Sequence, residues 1–510
     1  MPDPARVVIS AQRFDAAIFD LDGVVTNTAH THAAAWKRLF DDFLHRRDGT
    51  GFIPFSIEHD YMSYVDGRPR YEGVRTFLQW RGVELHYGDP SDPPDKETIC
   101  GLGNAKNRYF REAVASEGVE VFEDTLTLIR RLKDVGIDIA VVTASKNCEL
   151  ILQTAGLATL FEARVDGVDI EKSALKGKPA PDTFLEAASR LGAQPHHCVV
   201  LEDALVGVEA GRKGRFGLVV GVDRHGDPTA FLEHGADVAV DDLGKLKVKG
   251  LPAALERPNE IASRSKRQKH AICLDYDGTL TPIVSRPEQA LLSERMRAVL
   301  RELMEACPVA VVSGRELADI KRLVGLDMIY VADHGFELAI PGGPVEIYEP
   351  AAALKPEVAA VARKAEDRLG SVPGVLIERK QFSVAVHYRL VGGNDLPLVH
   401  REVDRLLSEH EGLRLIEGKK VHEFRPDLDW DKGKAMEFLA KRLSVPIDGI
   451  LYIGDDITDE DVFRAIRDAG IGIVVWESPR RTAAAYSLPG PDEVERFLKR
   501  LARSLNADDC

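Results

Sequence analysis

Two short apolar runs end in the same pair of carboxylates: AAIFDLDGVV carries Asp20 and Asp22, and AICLDYDGTL carries Asp275 and Asp277. On a strand, residues i and i+2 point the same way. Each pair therefore projects together past the carboxyl end of its strand, the edge at which open α/β sheets bind ligands. Two carboxylates so placed can divide the work, one attacking an electrophile and the other moving a proton. They also suit a hard cation such as Mg²⁺, which prefers carboxylate oxygens and accompanies phosphates. Alone, Asp-x-Asp-Gly is equally the mark of a turn with capping aspartates, so the rest of each half must decide.

Further strand ends supply what a phosphoryl-transfer site needs. The first half has Thr143, then Lys178 in KGKPAPD, then Glu202 and Asp203; the second has Ser313 in VVSGRE, Lys432 in DWDKGKA, and Asp455 and Asp459 in GDDITDED. Hydroxyl and ammonium groups bind phosphoryl oxygens, and the late acids complete a metal site. Each of these residues has an ordinary reading as a helix cap, a surface lysine or a turn acid. The same set recurring twice in the same order does not.

The elements that must carry these groups alternate along the chain. TLTLIRRLKDVG reads as an amphipathic helix, IDIAVVTAS as a buried strand ending at Thr143, and HHCVVLEDA and GLVVGVD as further strands. The second half repeats the plan with RAVLRELMEACP, VAVVSGRE, DGILYIGDD and GIGIVVW. Short continuous apolar strands alternating with helices predict parallel sheets covered on both faces. The similarity of the halves predicts a duplicated domain type. Between them LPAALERPNEIASRSKRQKH is polar, with two prolines and a short basic run, and reads as a solvated linker over 246–268. The predicted domains are 1–245 and 269–510. Each carries an insertion: helical over about 30–120 in the first, and mixed α/β over about 341–426 in the second.

At 510 residues the chain exceeds what one core usually supports. A net charge of −15 argues against a nucleic-acid binder but not against a small anionic substrate held by a local cluster of cations. Cys100, Cys148, Cys198, Cys273, Cys307 and Cys510 are scattered without CxxC or zinc-like spacing, which points to reduced thiols in the cytoplasm. The opening residues show no signal peptide, and no apolar run approaches a membrane span. GLGNAK has spaced glycines but follows no apolar strand, so it is not read as a dinucleotide site.

With these motifs both halves resemble the haloacid dehalogenase superfamily. The resemblance implies two Rossmann-like α/β cores with parallel sheets, the first with a helical cap and the second with an α/β cap. It makes Asp20 and Asp275 the nucleophiles that become aspartyl-phosphates, and Asp22 and Asp277 the acid/bases. Thr143, Lys178, Ser313 and Lys432 would hold the phosphoryl group. Mg²⁺ would be bound by Asp20, Asp22, Glu202 and Asp203 in the first half and by Asp275, Asp277, Asp455 and Asp459 in the second, with Asp456 nearby.

The second half, through LDYDGTLTPI, VVSGRE, ADHGFEL, ERKQFSVAVHYR, HEFRPDLDWDKGKA and YIGDDITDEDVF, resembles trehalose-6-phosphate phosphatases. Carboxylates and cations that orient sugar hydroxyls would then be Arg315, His334 and Glu337 from the core. The cap would add Glu378, Arg379, His387, Arg389, Lys419, Lys420, Glu423 and Arg425. A charged solvent face of the cap sheet accounts equally well for Arg379, Arg389 and Lys420. The first half, through FDLDGVVTNTAHTHAAAW, VDGRPRYEGVRTFL, KNRYF, VVTASKN, KGKPAPDTF and LEDALVGVEAG, resembles β-phosphoglucomutases. These interconvert β-glucose 1-phosphate and glucose 6-phosphate. His32, Arg70 and Lys106 would be the cap groups, and Ser145, Lys146 and Asn147 would extend the phosphate loop. The stretches HRRDGTGFIPFS and HYGDPSDPPDKETICG depart from that family, which leaves open a sugar-phosphate phosphatase or a silent regulatory or oligomerisation module. The expected partners are small sugar phosphates, not nucleic acid or membrane.

Overall fold

The computed structural model describes residues 7–506 except 66, 67, 69, 225, 285, 286 and 419. The chain divides into two compact units, Met1–Gly250 and Leu251–Cys510. Among the described residues no helix is long and apolar enough to cross a membrane.

The first unit is built on a six-stranded sheet in the order Ala163–Val165, Asp138–Val142, Ala16–Asp20, Cys198–Glu202, Leu218–Val222 and Val238–Val240. All neighbours run parallel. Five-residue strands such as AAIFD and CVVLE are buried along their whole length, because helices cover both faces. The Asp20 strand is central, so its carboxyl end opens between Val142 and Glu202. The helical insertion comprises Ala29–Asp48, Arg70–Trp80 and Ile99–Glu117, with a π-helical stretch Ile57–Val65. Its own core is aromatic, with Trp36, Phe40, Phe55 and Phe77 packed together.

The second unit holds an eight-stranded sheet: Val345–Ile347, Glu337–Ala339, Ile329–Ala332, Val309–Val312, Ala271–Asp275, Ile450–Gly454, Ile471–Val475 and Tyr486–Leu488. The first two strands join antiparallel and the others parallel. Alternation along the central strand sends Ile272 and Leu274 into one core layer with Phe497 and Leu501. Ala271 and Cys273 enter the other layer with Met436 and Leu439. The cap is a four-stranded antiparallel sheet, Leu376–Arg379, Val384–His387, Val421–Pro426 and Leu413–Gly418, backed by helices Glu349–Leu369 and Leu396–Ser408.

Two boundaries differ from expectation. The segment read as a linker is structured: Lys247–Lys249 pairs with Val8–Ser10, and Pro258–Lys266 is a helix packed on the terminal helix Pro491–Asn506. Only Ile261, Ala262 and Ser265 of that helix are buried, so its polar exterior hides the pattern. At the other insertion, Val345–Ile347 extends the core sheet, so the cap proper begins with the helix at Glu349.

Two candidate active sites

In the first unit Lys178 Nζ donates to Asp20 Oδ1 and, at 2.6 Å, to Glu202 Oε2. Asp22 accepts from the hydroxyls of Thr28 and, at 2.9 Å, Thr143. Oxygens of Asp20, Glu202 and Asp203 lie within 4.8 Å of one another and could hold a metal ion. The turn after Asp22 runs against Asp203: at Gly23, with φ +92°, a Cβ would fall 1.8 Å from Asp203 Oδ2, so only glycine fits. Burial and then Glu202 push the Asp20 carboxyl well above the usual range and that of Asp203 up to about 8. Lys178 is raised, because Asp20 and Glu202 outweigh the burial that disfavours its charge.

Three nitrogen-bearing side chains of the cap gather near this site. Lys106 Nζ lies 2.6 Å from His32 Nδ1, and the His32 ring stacks on Phe110 with centroids 4.1 Å apart. Burial and the Arg70 charge push Lys106 down to about 7; burial, Lys106 and Arg70 lower His32. Arg70 donates to Asn107 Oδ1 at 3.2 Å, and that oxygen also accepts from Asn147 Nδ2 at 2.8 Å, tying cap to core. The loop after Thr143 is braced by its own side chains: Ser145 N donates to Thr143 Oγ1 and Asn147 N to Ser145 Oγ. Lys146 is not brought to the site. Its side chain is half exposed and paired with Glu171 at 2.7 Å.

The second unit repeats the core with one change of residue. Lys432 Nζ donates to Asp275 Oδ1 at 2.9 Å and Asp459 Oδ1 at 2.8 Å. Asp275, Asp455 and Asp459 form the second group able to hold a metal ion. The strand register sets Gly454 where the first unit has Glu202. Here the buried acid comes instead from Asp459 in the following turn, and a Cβ on Gly454 would lie 2.4 Å from its Cγ. Asp459 is fixed by Tyr452 OH at 2.6 Å and by the amide of Asp456 at 2.9 Å. The Asp456 carboxylate caps the amide of Ile457, a role in the turn. Thr279 Oγ1 donates to Asp455 at 3.1 Å, and a Cβ on Gly278 would meet that carboxylate at 2.1 Å. Burial pushes Asp275 well above the usual carboxyl range, with Lys432 offsetting only part of it, and burial with Asp459 pushes Asp455 up to about 6.

Arg315 meets Asp277 directly, with Nε and Nη2 donating to its two oxygens at 2.7 and 2.6 Å. Ser313 is buried beneath, its hydroxyl accepting from the Arg315 amide at 3.2 Å. Asp333, His334 and Gly335 take φ values of 48°, 58° and 95°, a strained left-handed run that lays the His334 ring over Gly314. Burial and the nearby Arg425 and Lys432 charges hold His334 well below its ordinary pKa. Glu337 is buried and accepts from Gln381 Nε2 of the cap at 3.2 Å, while the Gln381 amide donates to Glu316 at 2.9 Å.

Register sorts the cap residues. Glu378, Ala385 and Glu423 face one another across the sheet, so Glu378, His387, Glu423 and Arg425 lie on one face. The other face, with Val384, Val386 and Phe424, packs on the cap helices. Arg379 is on that other face, where it pairs with Glu366 of a cap helix, and so it does not reach the site. Lys420 is exposed, its ammonium 5.8 Å from the Tyr388 ring centroid; Arg389 lies exposed beyond its strand, and Lys419 is outside the described residues. His387 Nε2 is 3.1 Å from Glu378 Oε2. Glu423 accepts from Ser383 at 2.7 Å, Lys380 at 3.4 Å and Arg425 Nε at 2.9 Å. Burial alone would raise its carboxyl, but Arg425 and Lys380 outweigh that and hold it at about 2. Lys380, Ser383, Gln381 and Tyr452 escaped the sequence reading. Alternation from Glu378 was the signal that could have found Lys380 in place of Arg379.

Comparisons with known proteins divide the chain in the same way. Residues 273–492 match the trehalose-phosphatase family model, and residues 14–215 match that of haloacid dehalogenase-like hydrolases. A trehalose-phosphate phosphatase of Mycobacterium leprae is 37% identical over 413 residues, covering 75% of this chain and 93% of that protein. An uncharacterized glycosyl hydrolase of Mycobacterium tuberculosis is 39% identical over 515 residues; the match takes in 98% of this chain, which spans only 38% of that relative's length. Among solved structures, a β-phosphoglucomutase of Clostridium difficile aligns at 26% identity and a TM-score of 0.37, covering 46% of this chain and 93% of that one. With the C-terminal aspartate and lysine motifs inside the matched region and a haloacid dehalogenase-like hydrolase unit ahead of it, the chain belongs to the trehalose-phosphatase family.

Proposed function

We propose that the C-terminal unit hydrolyses trehalose 6-phosphate to trehalose and phosphate. The observation that carries this reading is the Asp275–Lys432–Asp459 cluster in a unit matched to the family, with the Glu423–Arg425–Lys380 group on the cap face that bears Glu378. Asp275 would attack the phosphorus while Asp277 gives its proton to the departing sugar oxygen, leaving an aspartyl-phosphate and free trehalose. Asp277 would then take a proton from water, whose oxygen attacks the phosphorus and releases phosphate with Asp275 restored. Lys432 and Ser313 would hold the phosphoryl oxygens, and the cap group would grip the sugar. Incubating the purified chain with trehalose 6-phosphate and Mg²⁺ tests this, with equal amounts of trehalose and phosphate expected.

The two acid groups fit Mg²⁺: both offer only hard oxygens, and their raised carboxyls mark negative charge that nothing on the protein fully compensates. Asp20, Glu202 and Asp203 would hold one ion and Asp275, Asp455 and Asp459 another, with Asp22 and Asp277 alongside. Bound there, the ion would neutralise phosphoryl charge. A stability effect follows. These folded-state pKa values lie above the unfolded value of 3.8, so without metal the protons stabilise the fold fully below 3.8. That contribution is lost as pH rises through about 6 and about 8. Mg²⁺ is therefore expected to raise the melting temperature over that in EDTA, and to do so more at pH 8 than at pH 5.5. Thermal unfolding at both pH values checks it, and an equal gain at both contradicts it.

Glu423→Ala is expected to lower kcat/KM for trehalose 6-phosphate about 10- to 100-fold, the scale of one or two lost charge-assisted hydrogen bonds. The value for n-butyl phosphate, which has no sugar to grip, should change less than about threefold. Equal losses on both would mean that Glu423 supports the fold.

For the N-terminal unit the reading is interconversion of β-glucose 1-phosphate and glucose 6-phosphate. The close His32, Arg70 and Lys106 side chains offer a group of nitrogen donors that suits a second phosphate. A simple sugar-phosphate phosphatase is the second reading. Among the described residues five buried free thiols favour a cytoplasmic setting.

A further inference from the structure

We infer that Arg315 is a specificity-determining residue of the C-terminal site, a latch that keeps Asp277 out of use until a hydroxyl-rich leaving group enters. This rests on the phosphatase reading above.

The argument starts from hydrogen-bond capacity. Arg315 Nε and Nη2 occupy both carboxylate oxygens of Asp277, so the residue that must protonate the leaving oxygen is held in a two-point grip. The guanidinium is caged on its other edge by Asp319, which accepts from Nη1 at 3.0 Å and is itself paired with Arg322. Its backbone is pinned, with the amide on Ser313 Oγ at 3.2 Å and the carbonyl accepting from Asp333 at 2.9 Å. A swing of the side chain is thus the available motion. The first unit is a natural control: Asp22 there is held by the neutral hydroxyls of Thr28 and Thr143, and Ser145 follows Thr143 where Arg315 follows Ser313.

Asp277 must reach the bridging oxygen of the ester, so the guanidinium bonded to it borders the space that the leaving group enters. Sugar hydroxyls can take over the Nε and Nη2 donors while Nη1 keeps Asp319, which frees one Asp277 oxygen to take a proton from solvent and pass it to the bridging oxygen as the P–O bond breaks. An alkyl phosphate needs the same proton but offers no hydroxyls, and the latch stays shut. p-Nitrophenyl phosphate needs no proton on its leaving group and is indifferent to the latch.

The test is kcat/KM, which reports phosphoryl transfer to Asp275, for these three esters with the full chain and Mg²⁺. Arg315→Met is expected to raise kcat/KM for n-butyl phosphate about tenfold and to lower it at least tenfold for trehalose 6-phosphate. The value for p-nitrophenyl phosphate should change less than that for either of the other two esters. Asp319→Asn, which keeps Arg315 but loosens its outer anchor, should lower trehalose 6-phosphate turnover and leave p-nitrophenyl phosphate unchanged. A fall on all three esters with Arg315→Met in a folded protein, or no gain on n-butyl phosphate, overturns the latch. If Arg315→Met does not fold, an equal effect of Asp319→Asn on trehalose 6-phosphate and p-nitrophenyl phosphate overturns it. Failure of the unaltered chain to hydrolyse trehalose 6-phosphate would instead overturn the phosphatase reading itself.

Discussion

Asp275→Asn is expected to lower phosphate release from trehalose 6-phosphate by a factor of roughly 10⁴ or more, the scale of losing a covalent nucleophile. The amide cannot attack phosphorus as an anion, and phosphate monoesters are so slow to hydrolyse unaided that little background remains. The fold should survive. Asp275 is a buried carboxyl pushed well above the usual range by burial, so a neutral amide relieves a strained charge. Lys432 keeps its bond to Asp459 at 2.8 Å. The melting temperature without metal should therefore be unchanged or higher, while the gain on adding Mg²⁺ shrinks. Asp20→Asn belongs to the other compact unit and should leave this activity within about twofold. Substantial turnover by folded Asp275→Asn, or loss of it in Asp20→Asn, would mean that the wrong aspartate has been chosen.

What could be read before the structure, and what could not, follows from how local each signal is. The strands that end in Asp20, Val142, Glu202, Asp275 and Val312 are short, continuous and apolar, and motif residues follow directly from their ends. Both acid clusters assemble from such positions, although Asp459 replaces a strand-end carboxylate only because Gly454 leaves room for it. Cap residues were harder, since a one-residue shift changes the face: Arg379 stands on the helical side and its neighbour Lys380 reaches Glu423. Ion-pair choice was beyond the sequence altogether. Arg315 could have met a substrate oxygen, but it meets Asp277, on a loop 38 residues away in sequence, and Asp319, in the first turn of the helix Leu317–Val324. The helix Pro258–Lys266 was missed for a related reason. Its buried face is three residues wide and is defined by the terminal helix it packs against, more than 200 residues on.

The N-terminal unit has a sharper test than presence or absence of turnover, because a mutase and a phosphatase differ in what reaches the aspartyl-phosphate. A phosphatase admits water there; a mutase must hold water off until a sugar hydroxyl arrives. β-Glucose 1-phosphate with Mg²⁺ and a trace of glucose bisphosphate is expected to give glucose 6-phosphate with little free phosphate. Arg70→Ala should then lower mutase turnover about 100-fold, because the distal phosphate of the bisphosphate must be gripped in both orientations, and a charge-assisted hydrogen bond is roughly twice as strong as a neutral one. The substitution spares the bond from Asn147 to Asn107 at 2.8 Å, so the cap keeps a contact to the core. Hydrolysis should persist or rise as the phosphoenzyme becomes less well covered. Quantifying glucose 6-phosphate and phosphate in the same samples separates the outcomes. Free phosphate from several sugar phosphates with no isomerisation replaces the mutase by a phosphatase. Neither product, from a unit that still gains stability with Mg²⁺, leaves the partly buried His32–Lys106–Arg70 cluster as a binding site for a phosphorylated regulator.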